Sequence, residues 1–280
     1  KETQLNNNVL VVGSPGSGKT RSIVTPNLLE CSGSYILSDP KGTLYAQYKD
    51  YLEEQGYKVR QLNFVNTEES IHYNFFDYIR NDQDIVKIAN IIMRGNNYGF
   101  TKNIDPFWDE AGQLLMQALI AYLHEFRPKC EQNLSCVLKL LDAIDVSDDG
   151  NTGPCGRIFK EVEKRAPRSF AAKCYRRFSV AAEKTLRSIV ISTTAKMTAY
   201  MTPEIEGLTC FDETDIRSIG DEKTAFFVIV SDTDRSQDGL VNIFFTQAMN
   251  ELVLHADEDC PDNSLPVPVR FILDDFATNC

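Results

Sequence analysis

With 280 residues, 42% of them hydrophobic, the chain can bury a full core as one large domain or as one domain carrying a second, which argues against an intrinsically disordered protein. Its net charge of −11 argues against a surface that binds nucleic acid throughout, because phosphate binding uses Lys and Arg side chains. The longest uninterrupted apolar run, Ala225–Val230, is far shorter than the roughly 20 residues that a membrane-spanning helix needs.

The cysteines give no indication of a metal site. The eight cysteines contain no C-x-x-C pair, so zinc is not expected. Irregular spacing of this kind is typical of reduced thiols in a cytosolic compartment. The chain begins at Lys1 without a basic segment followed by an apolar stretch, so we expect no signal peptide and treat the sequence as a fragment.

Five short β-branched or apolar runs predict strands that are buried on both faces. Helix-like stretches at Lys19–Glu30 and Leu44–Gln55 separate the first three runs, and Gly56 stands where a helix C-cap favours glycine. This alternation of strands and helices predicts a parallel sheet. The five runs are Val9–Val12, Tyr35–Leu37, Lys58–Phe64, Ala225–Val230 and Val269–Leu273.

The middle of the chain has helical patterns and no strand signal. Trp108–Phe126 keeps an apolar stripe with a period of 3.6 residues over four turns. We therefore predict an all-helical insertion at 105–200 within an α/β domain formed by 1–104 and 201–280. The further helical patterns are Leu134–Leu141, Ile158–Lys164, Phe170–Phe178 and Leu186–Tyr200.

A phosphate-binding loop follows the first predicted strand. Its sequence matches G-x-x-x-x-G-K-[ST] at every fixed position, and it lies between a strand and a helix as this motif requires. Glycines let consecutive backbone N–H groups face phosphate oxygens, Lys19 would reach the β and γ phosphates, and Thr20 would ligate Mg²⁺. The alternative is a glycine-rich turn that binds nothing. The residues expected to bind nucleotide are Gly13, Ser14, Pro15, Gly16, Ser17, Gly18, Lys19, Thr20 and Arg21.

Two acids close the last predicted strand, in the form of a Walker B motif. Asp274 would hold Mg²⁺ through water, and Asp275 would polarise the attacking water, so Lys19 and Asp275 are the expected catalytic residues. In ATPases with a Walker B motif the second acid is usually Glu, whose side chain is one methylene longer than that of Asp275. The alternative is that both acids are only turn residues.

The segment Ser38–Gly42 follows the second predicted strand. This position is the carboxyl edge of the sheet, where ligands bind in open α/β folds. The functional interpretation places Asp39 and Lys41 near the nucleotide or a subunit boundary, and the alternative is a plain turn.

Several motifs together resemble those of TraG-type coupling proteins of type IV secretion and conjugation, over nearly the whole chain. The segments SDPKG and the helix that contains Trp108 are much more specific than the phosphate loop alone. The motifs that carry the resemblance are GSPGSGKT, SDPKG, PFWDEAGQLLMQAL, SVAAEKTLRSIVIS, AFFVIVSDTD, FFTQAMNEL and RFILDDFA.

The resemblance implies a RecA-like P-loop NTPase domain with an inserted all-helical domain and with ATP and Mg²⁺ as cofactors. It implies a homo-hexamer around a channel, on the cytoplasmic side of the bacterial cytoplasmic membrane, anchored by N-terminal helices that are missing here. The implied partners are a relaxase–DNA complex or secreted substrate and other type IV secretion subunits. In this family the sheet continues past the Walker B strand to a polar sensor residue and an arginine finger. We therefore expect the fragment to bind nucleotide but to hydrolyse it slowly.

A basic segment departs from the acidic character of the chain. Arg157–Arg187 contains ten basic and three acidic residues, a charge of +7. One interpretation is amphipathic helices with a solvated basic face and an aromatic core face. The other is a surface for DNA or an acidic partner, which the helical domain of the resembled family supports. The candidate residues are Arg165, Arg168, Lys173, Arg176 and Arg177.

Two classes of function remain open at this point. The first is an ATP-driven translocase of DNA or protein, including a FtsK/HerA-like DNA translocase. The second is a docking receptor in which nucleotide has only a structural role. A small-molecule kinase is a distant third, because no acceptor pocket has a visible signature.

Overall fold

A computed structural model describes residues 8–14, 16–95, 106–146, 152–181 and 183–274 of the chain. Within these residues the chain forms one four-stranded, fully parallel sheet with the strand order β2–β3–β1–β4. The predicted parallel sheet is therefore confirmed. The strands are β1 (Ser34–Pro40), β2 (Lys58–Asn63), β3 (Thr224–Val230) and β4 (Val269–Leu273).

The central strands are buried on both faces because helices cover both sides of the sheet. All residues of β3 are buried, and its side chains alternate between two apolar clusters. Phe226 packs on one side with Phe244, whereas Phe227 packs on the other side with Leu52. This alternation follows from the two-residue period of a strand and explains why the sequence TAFFVIV is apolar throughout.

Ten α-helices surround the sheet in the part of the chain that the structure describes. Most predicted helix boundaries lie within three residues of the observed ones. Helix α6 begins five residues earlier than predicted, and α1 begins six residues later because a π-helical turn occupies Thr20–Val24. Helices α3, α9 and α10 were not predicted. Gly56 has a φ of +81° directly after α2, as expected for a C-cap glycine. The helices are α1 (Thr25–Glu30), α2 (Thr43–Glu54), α3 (Asp82–Gly95), α4 (Pro106–Phe126), α5 (Leu134–Asp142), α6 (Gly153–Arg165), α7 (Phe170–Phe178), α8 (Glu183–Met197), α9 (Pro203–Leu208) and α10 (Asp238–Asp259).

The helical elements α4 to α8 share their apolar core with the sheet. A single buried cluster contains Leu115 of α4 and Phe159 of α6 together with Phe226 of β3. Helix α4 lies between α3 and α7, so it joins the sheet layer to the more distant helices. The division into 1–104 with 201–280 and an insertion at 105–200 stays a prediction. None of the described helices is long and apolar enough to cross a membrane.

The predicted strand at Val9–Val12 is wrong. These four residues have no strand partner among the described residues, and their side chains are 82%, 82%, 40% and 87% exposed. A β-branched run favours extended backbone, but a strand exists only where a neighbouring strand satisfies its N–H and C=O groups. Strand β4 was also predicted to be buried on both faces, and it is half-buried because it pairs with β1 alone.

Candidate nucleotide-binding site

The glycines of the phosphate-binding loop are required by its backbone. Gly16 and Gly18 have φ values of +75° and +83°, in the left-handed region that disfavours other residues. A Cβ atom on Gly13 would lie 2.7 Å from the Ser17 hydroxyl oxygen. The Ser17 amide donates to the Ser14 carbonyl oxygen at 3.1 Å and closes a tight turn. Pro15 lies outside the described residues.

Lys19 turns back over this loop. Its ammonium group donates to the carbonyl oxygens of Gly13 at 2.9 Å and Ser14 at 3.4 Å. Both acceptors are backbone oxygens at the open side of the loop, so phosphate oxygens could take their place without rearrangement of the chain. The loop therefore fits a phosphate group.

Thr20 and Asp274 meet although they are 254 positions apart in sequence. The Thr20 hydroxyl donates to a carboxylate oxygen of Asp274 at 2.6 Å. A hydroxyl and a carboxylate oxygen are hard ligands of the kind that Mg²⁺ takes together with phosphate oxygens and water. The pair fits the proposed metal, and the metal roles stay predictions. Asp275 lies outside the described residues, so its catalytic role also stays a prediction.

The helix after the loop begins with a wider turn than expected. Residues Thr20–Val24 form a π-helical turn in which the Thr25 amide donates to the Thr20 carbonyl oxygen. Pro26 follows at once, and proline lacks an N–H and clashes with the carbonyl four residues earlier. The wide turn avoids this clash at Ser22. Arg21 lies on this turn with an exposed side chain, and its binding role stays a prediction.

Asp39 lies at the same edge of the sheet as Asp274, but its carboxylate is already used within the protein. Ser38 is paired with Leu273, so the two acids follow at matching positions. Asp39 is fully buried and accepts the amides of Leu44 at 3.1 Å and Tyr45 at 2.8 Å. Burial raises the pKa of Asp39, the amides oppose this rise, and the charge of Asp274 adds to it. Asp39 therefore anchors the start of α2 beside the predicted metal site.

Lys41 is at the surface of the same turn. Its backbone has a φ of +77°, and its ammonium group forms an ion pair of 2.7 Å with Asp232. Asp232 follows β3, so this pair joins the loops after two neighbouring strands. Sequence reasoning assigned no role to Asp232. The signal was the polar segment Ser231–Asp234 directly after a fully buried strand.

The predicted basic face is exposed, and its residues differ in their partners. Arg176 pairs with Glu163 at 2.6 Å, and Arg165 lies 4.0 Å from Glu161. Within the described residues no ion pair involves the other three members of the face, which are Arg168, Lys173 and Arg177. The aromatic residues of the segment point inward, as the stacked rings of α6 and α7 show.

A separate cleft in the described part of the chain contains none of the predicted site residues. It has a volume of about 740 Å³ and is lined by residues of 74–80, 129–130 and 210–217 and by Glu251. Its arginines are already paired, since Arg80 and Arg217 contact Glu251 at 2.8 Å and 3.2 Å. No group of three or more metal-binding side chains occurs in the described part of the chain.

Comparison with known proteins gives one family and one set of related structures. Residues 2–279 match the family model described as Type IV secretory system Conjugative DNA transfer. Among curated protein sequences there is no match to the chain.

Several of the similar structures are forms of the bacterial conjugative coupling protein TrwB. The sulphate complex of TrwBdeltaN70 has a TM-score of 0.60 and 16% identity over 92% of this chain and 54% of that one. The complex with an ATP analogue, ADPNP, has a TM-score of 0.58 and 17% identity over 95% and 56%. The complex with ADP and Mg²⁺ has a TM-score of 0.56 and 16% identity over 92% and 54%.

These likenesses establish the fold. The expected α/β class, a RecA-like P-loop NTPase fold with a mainly parallel sheet and many helices, is confirmed. The chain spans about half the length of the structures that it matches.

Proposed function

Because the chain belongs to the family of type IV secretory system conjugative DNA-transfer proteins, we propose that it is the ATP-binding motor part of a coupling protein. The coupling protein recruits a relaxase–DNA substrate and uses ATP hydrolysis to deliver it to a secretion channel. The observation that carries the proposal is the contact of 2.6 Å between Thr20 and Asp274. It brings a phosphate-loop hydroxyl and a strand-end acid together, as nucleotide hydrolysis with Mg²⁺ requires.

In this proposal each residue of the site has one task. The loop amides and the Lys19 ammonium bind the β and γ phosphates, and Thr20 and Asp274 hold Mg²⁺. The metal ion, when bound, neutralises charge that develops on the phosphate oxygens. Asp275 orients the attacking water. The TrwB complexes with ADPNP and with ADP and Mg²⁺ support this assignment of cofactors.

Substrate contact is assigned to the helical part of the chain. Arg168, Lys173 and Arg177 are exposed cations without an ion-pair partner in the described part of the chain, so they are available to DNA phosphates or to an acidic partner. Arg165 and Arg176 extend the same face. The homo-hexamer, the membrane anchor and the contacts with other secretion subunits would belong to the longer protein.

Calorimetric titration of ADPNP and of ADP with Mg²⁺ tests the proposal. We expect Lys19→Ala to weaken binding about 10- to 100-fold, because charge-assisted hydrogen bonds to the phosphates are lost. Lys58→Ala is the matched control, since Lys58 is also a half-exposed lysine and pairs with Glu222 at 2.8 Å. Equal affinity of the Lys19→Ala and wild-type proteins would contradict the proposal.

A docking receptor, in which nucleotide has only a structural role, can be distinguished from a motor by its rate of ATP hydrolysis. A motor protein should hydrolyse ATP faster when single-stranded DNA is added, whereas a receptor should bind its partner without stimulation. ATPase rates of the longer protein with and without DNA separate the two. Asp274→Asn is the inactive reference, because it removes the metal-binding charge and keeps the shape of the side chain.

A further inference from the structure

We propose that the loop Ser231–Gln237, between β3 and α10, couples the nucleotide site to the helical region, with Lys41 and Gln237 as positioning residues at its two ends. We call this segment the coupling loop. The inference rests on the proposed nucleotide function and adds the route by which bound nucleotide affects the helices that contact substrate.

The first end of the coupling loop contacts the turn beside the metal site. Asp39 adjoins Asp274, and Lys41 follows it by two residues on the same turn. The Lys41 amide donates to the Val230 carbonyl oxygen at 3.1 Å, and its ammonium group pairs with Asp232 at 2.7 Å. A change at Asp274 therefore has a short path to the coupling loop.

The ion pair between Lys41 and Asp232 suits a reversible contact. Its side chains are 60% and 41% exposed. Exposed pairs of this kind contribute little to stability, so the pair can break and re-form without unfolding its surroundings. The turn that carries Lys41 is constrained in contrast, because both Lys41 and Gly42 have left-handed backbones.

Hydrogen bonds within the coupling loop make it one unit. The Ser231 hydroxyl oxygen accepts the amides of Thr233 at 3.2 Å and Asp234 at 2.9 Å. The Asp234 carboxylate then accepts the Ser236 amide at 2.9 Å. Displacement of Asp232 therefore moves the whole segment rather than one side chain.

The second end of the coupling loop contacts the helical region. The Gln237 side-chain amide donates to the Ala199 carbonyl oxygen at 2.9 Å. Ala199 belongs to the turn Thr198–Tyr200, which directly follows α8. The other amide atom, Gln237 Oε1, is buried without a hydrogen-bond partner among the described residues. A buried acceptor without a hydrogen bond is destabilising, so a second arrangement that satisfies it is close in energy.

Close packing extends this contact into α10. A Cβ atom on Gly239 would overlap the Tyr200 hydroxyl, so the side chain of Tyr200 packs directly against the backbone of the first turn of α10. Packed interiors have little free volume, so a shift of one segment displaces the other. The coupling loop thus joins the metal-site turn to the end of α8 through contacts at both ends.

Hydrogen-exchange mass spectrometry with and without ADPNP and Mg²⁺ tests this route. We expect nucleotide to change the exchange rate of the Thr198–Tyr200 segment by about threefold or more, in line with the usual size of long-range coupling. Asp232→Ala should abolish this change and keep the nucleotide affinity within about twofold, because Asp232 pairs with Lys41 and not with a described residue of the phosphate loop. The reversed pair, Lys41→Asp with Asp232→Lys, should restore the exchange response.

The matched control is Glu222→Ala, which removes the acid of another exposed lysine pair, Lys58–Glu222, with a distance of 2.8 Å. It should leave the exchange response unchanged. A full response in Asp232→Ala, or wild-type binding of nucleotide without any response, would overturn the inference alone. Calorimetry on the same samples shows whether nucleotide binds at all. If it does not bind, the proposed function is overturned together with the inference.

Discussion

His255 lies between two carboxylates at the end of α10. Its Nδ1 atom is 3.0 Å from Asp259, and its Nε2 atom is 2.9 Å from Asp221. A neutral imidazole has one N–H, so both contacts are hydrogen bonds only when the ring is protonated. Hydrogen bonds to Asp221 and Asp259 raise the pKa of His255, and Arg217 shares the Asp259 carboxylate.

The raised pKa predicts a pH-dependent contribution to stability. This contribution is fully present below the unfolded pKa of about 6.5 and is lost as pH rises through the higher folded value. We expect His255→Gln to lower the free energy of unfolding by about 1 kcal/mol at pH 5.5, and by much less at pH 9. Urea denaturation at both pH values measures this difference. An equal loss at the two pH values would mean that packing, and not charge, is responsible.

Helices α6 and α7 show how one amphipathic pair can present a basic face. The rings of Phe159 and Tyr175 stack with centroids 3.9 Å apart and join the two helices. Phe178 is buried on the same side, which leaves the basic residues of α7 toward solvent. Both interpretations of the basic segment share this arrangement, so only a binding measurement separates them.

Charge reversal on α7 tests the DNA interpretation. We expect Lys173→Glu and Arg177→Glu each to weaken binding of single-stranded DNA about tenfold and to reduce the salt slope by about 1, the loss of one phosphate contact. Lys139→Glu on α5 is the matched control, because Lys139 is also an exposed helical lysine. Arg176 is less informative, since a glutamate there would face Glu163. Equal effects of all three reversals would indicate general electrostatics rather than a binding face.

At the scale of the whole molecule, one face of the sheet shares a continuous apolar core with the helical region. Phe226 of β3 and Leu115 of α4 belong to the same buried cluster, and Trp108 packs against it. A shared core predicts that both regions unfold in one cooperative transition. Trp108 is the sole tryptophan of the chain, so its fluorescence reports on the helical region alone.

A substitution in the sheet should therefore be detected in the helices. We expect Phe226→Ala to lower stability by about 3–5 kcal/mol and to move the denaturation midpoint of Trp108 fluorescence as far as that of circular dichroism. Ile191→Ala on α8 is the control, because Ile191 is 64% exposed and should shift neither midpoint. If the Trp108 midpoint stays unchanged in Phe226→Ala, the helical region folds on its own, as the predicted insertion at 105–200 would allow.

Local signals in the sequence determined the elements and the composition of the nucleotide site. The limits of α7 and β4, the C-cap at Gly56 and the glycines of the phosphate loop follow from periodicity and from backbone conformations that few residues adopt. These signals act over a few residues, so a sequence displays them directly.

Only the tertiary structure decided which groups meet. Val9–Val12 has the composition of a strand but no strand partner among the described residues. The Asp39 carboxylate accepts hydrogen bonds from amides of α2, and Lys41 pairs with Asp232 of a neighbouring loop. Each outcome depends on residues far apart in sequence, and hydrogen bonding and burial select among many compatible pairings. The contact of Thr20 with Asp274 has the same origin, because the two residues are 254 positions apart and only the folded chain brings the end of β4 to the phosphate loop.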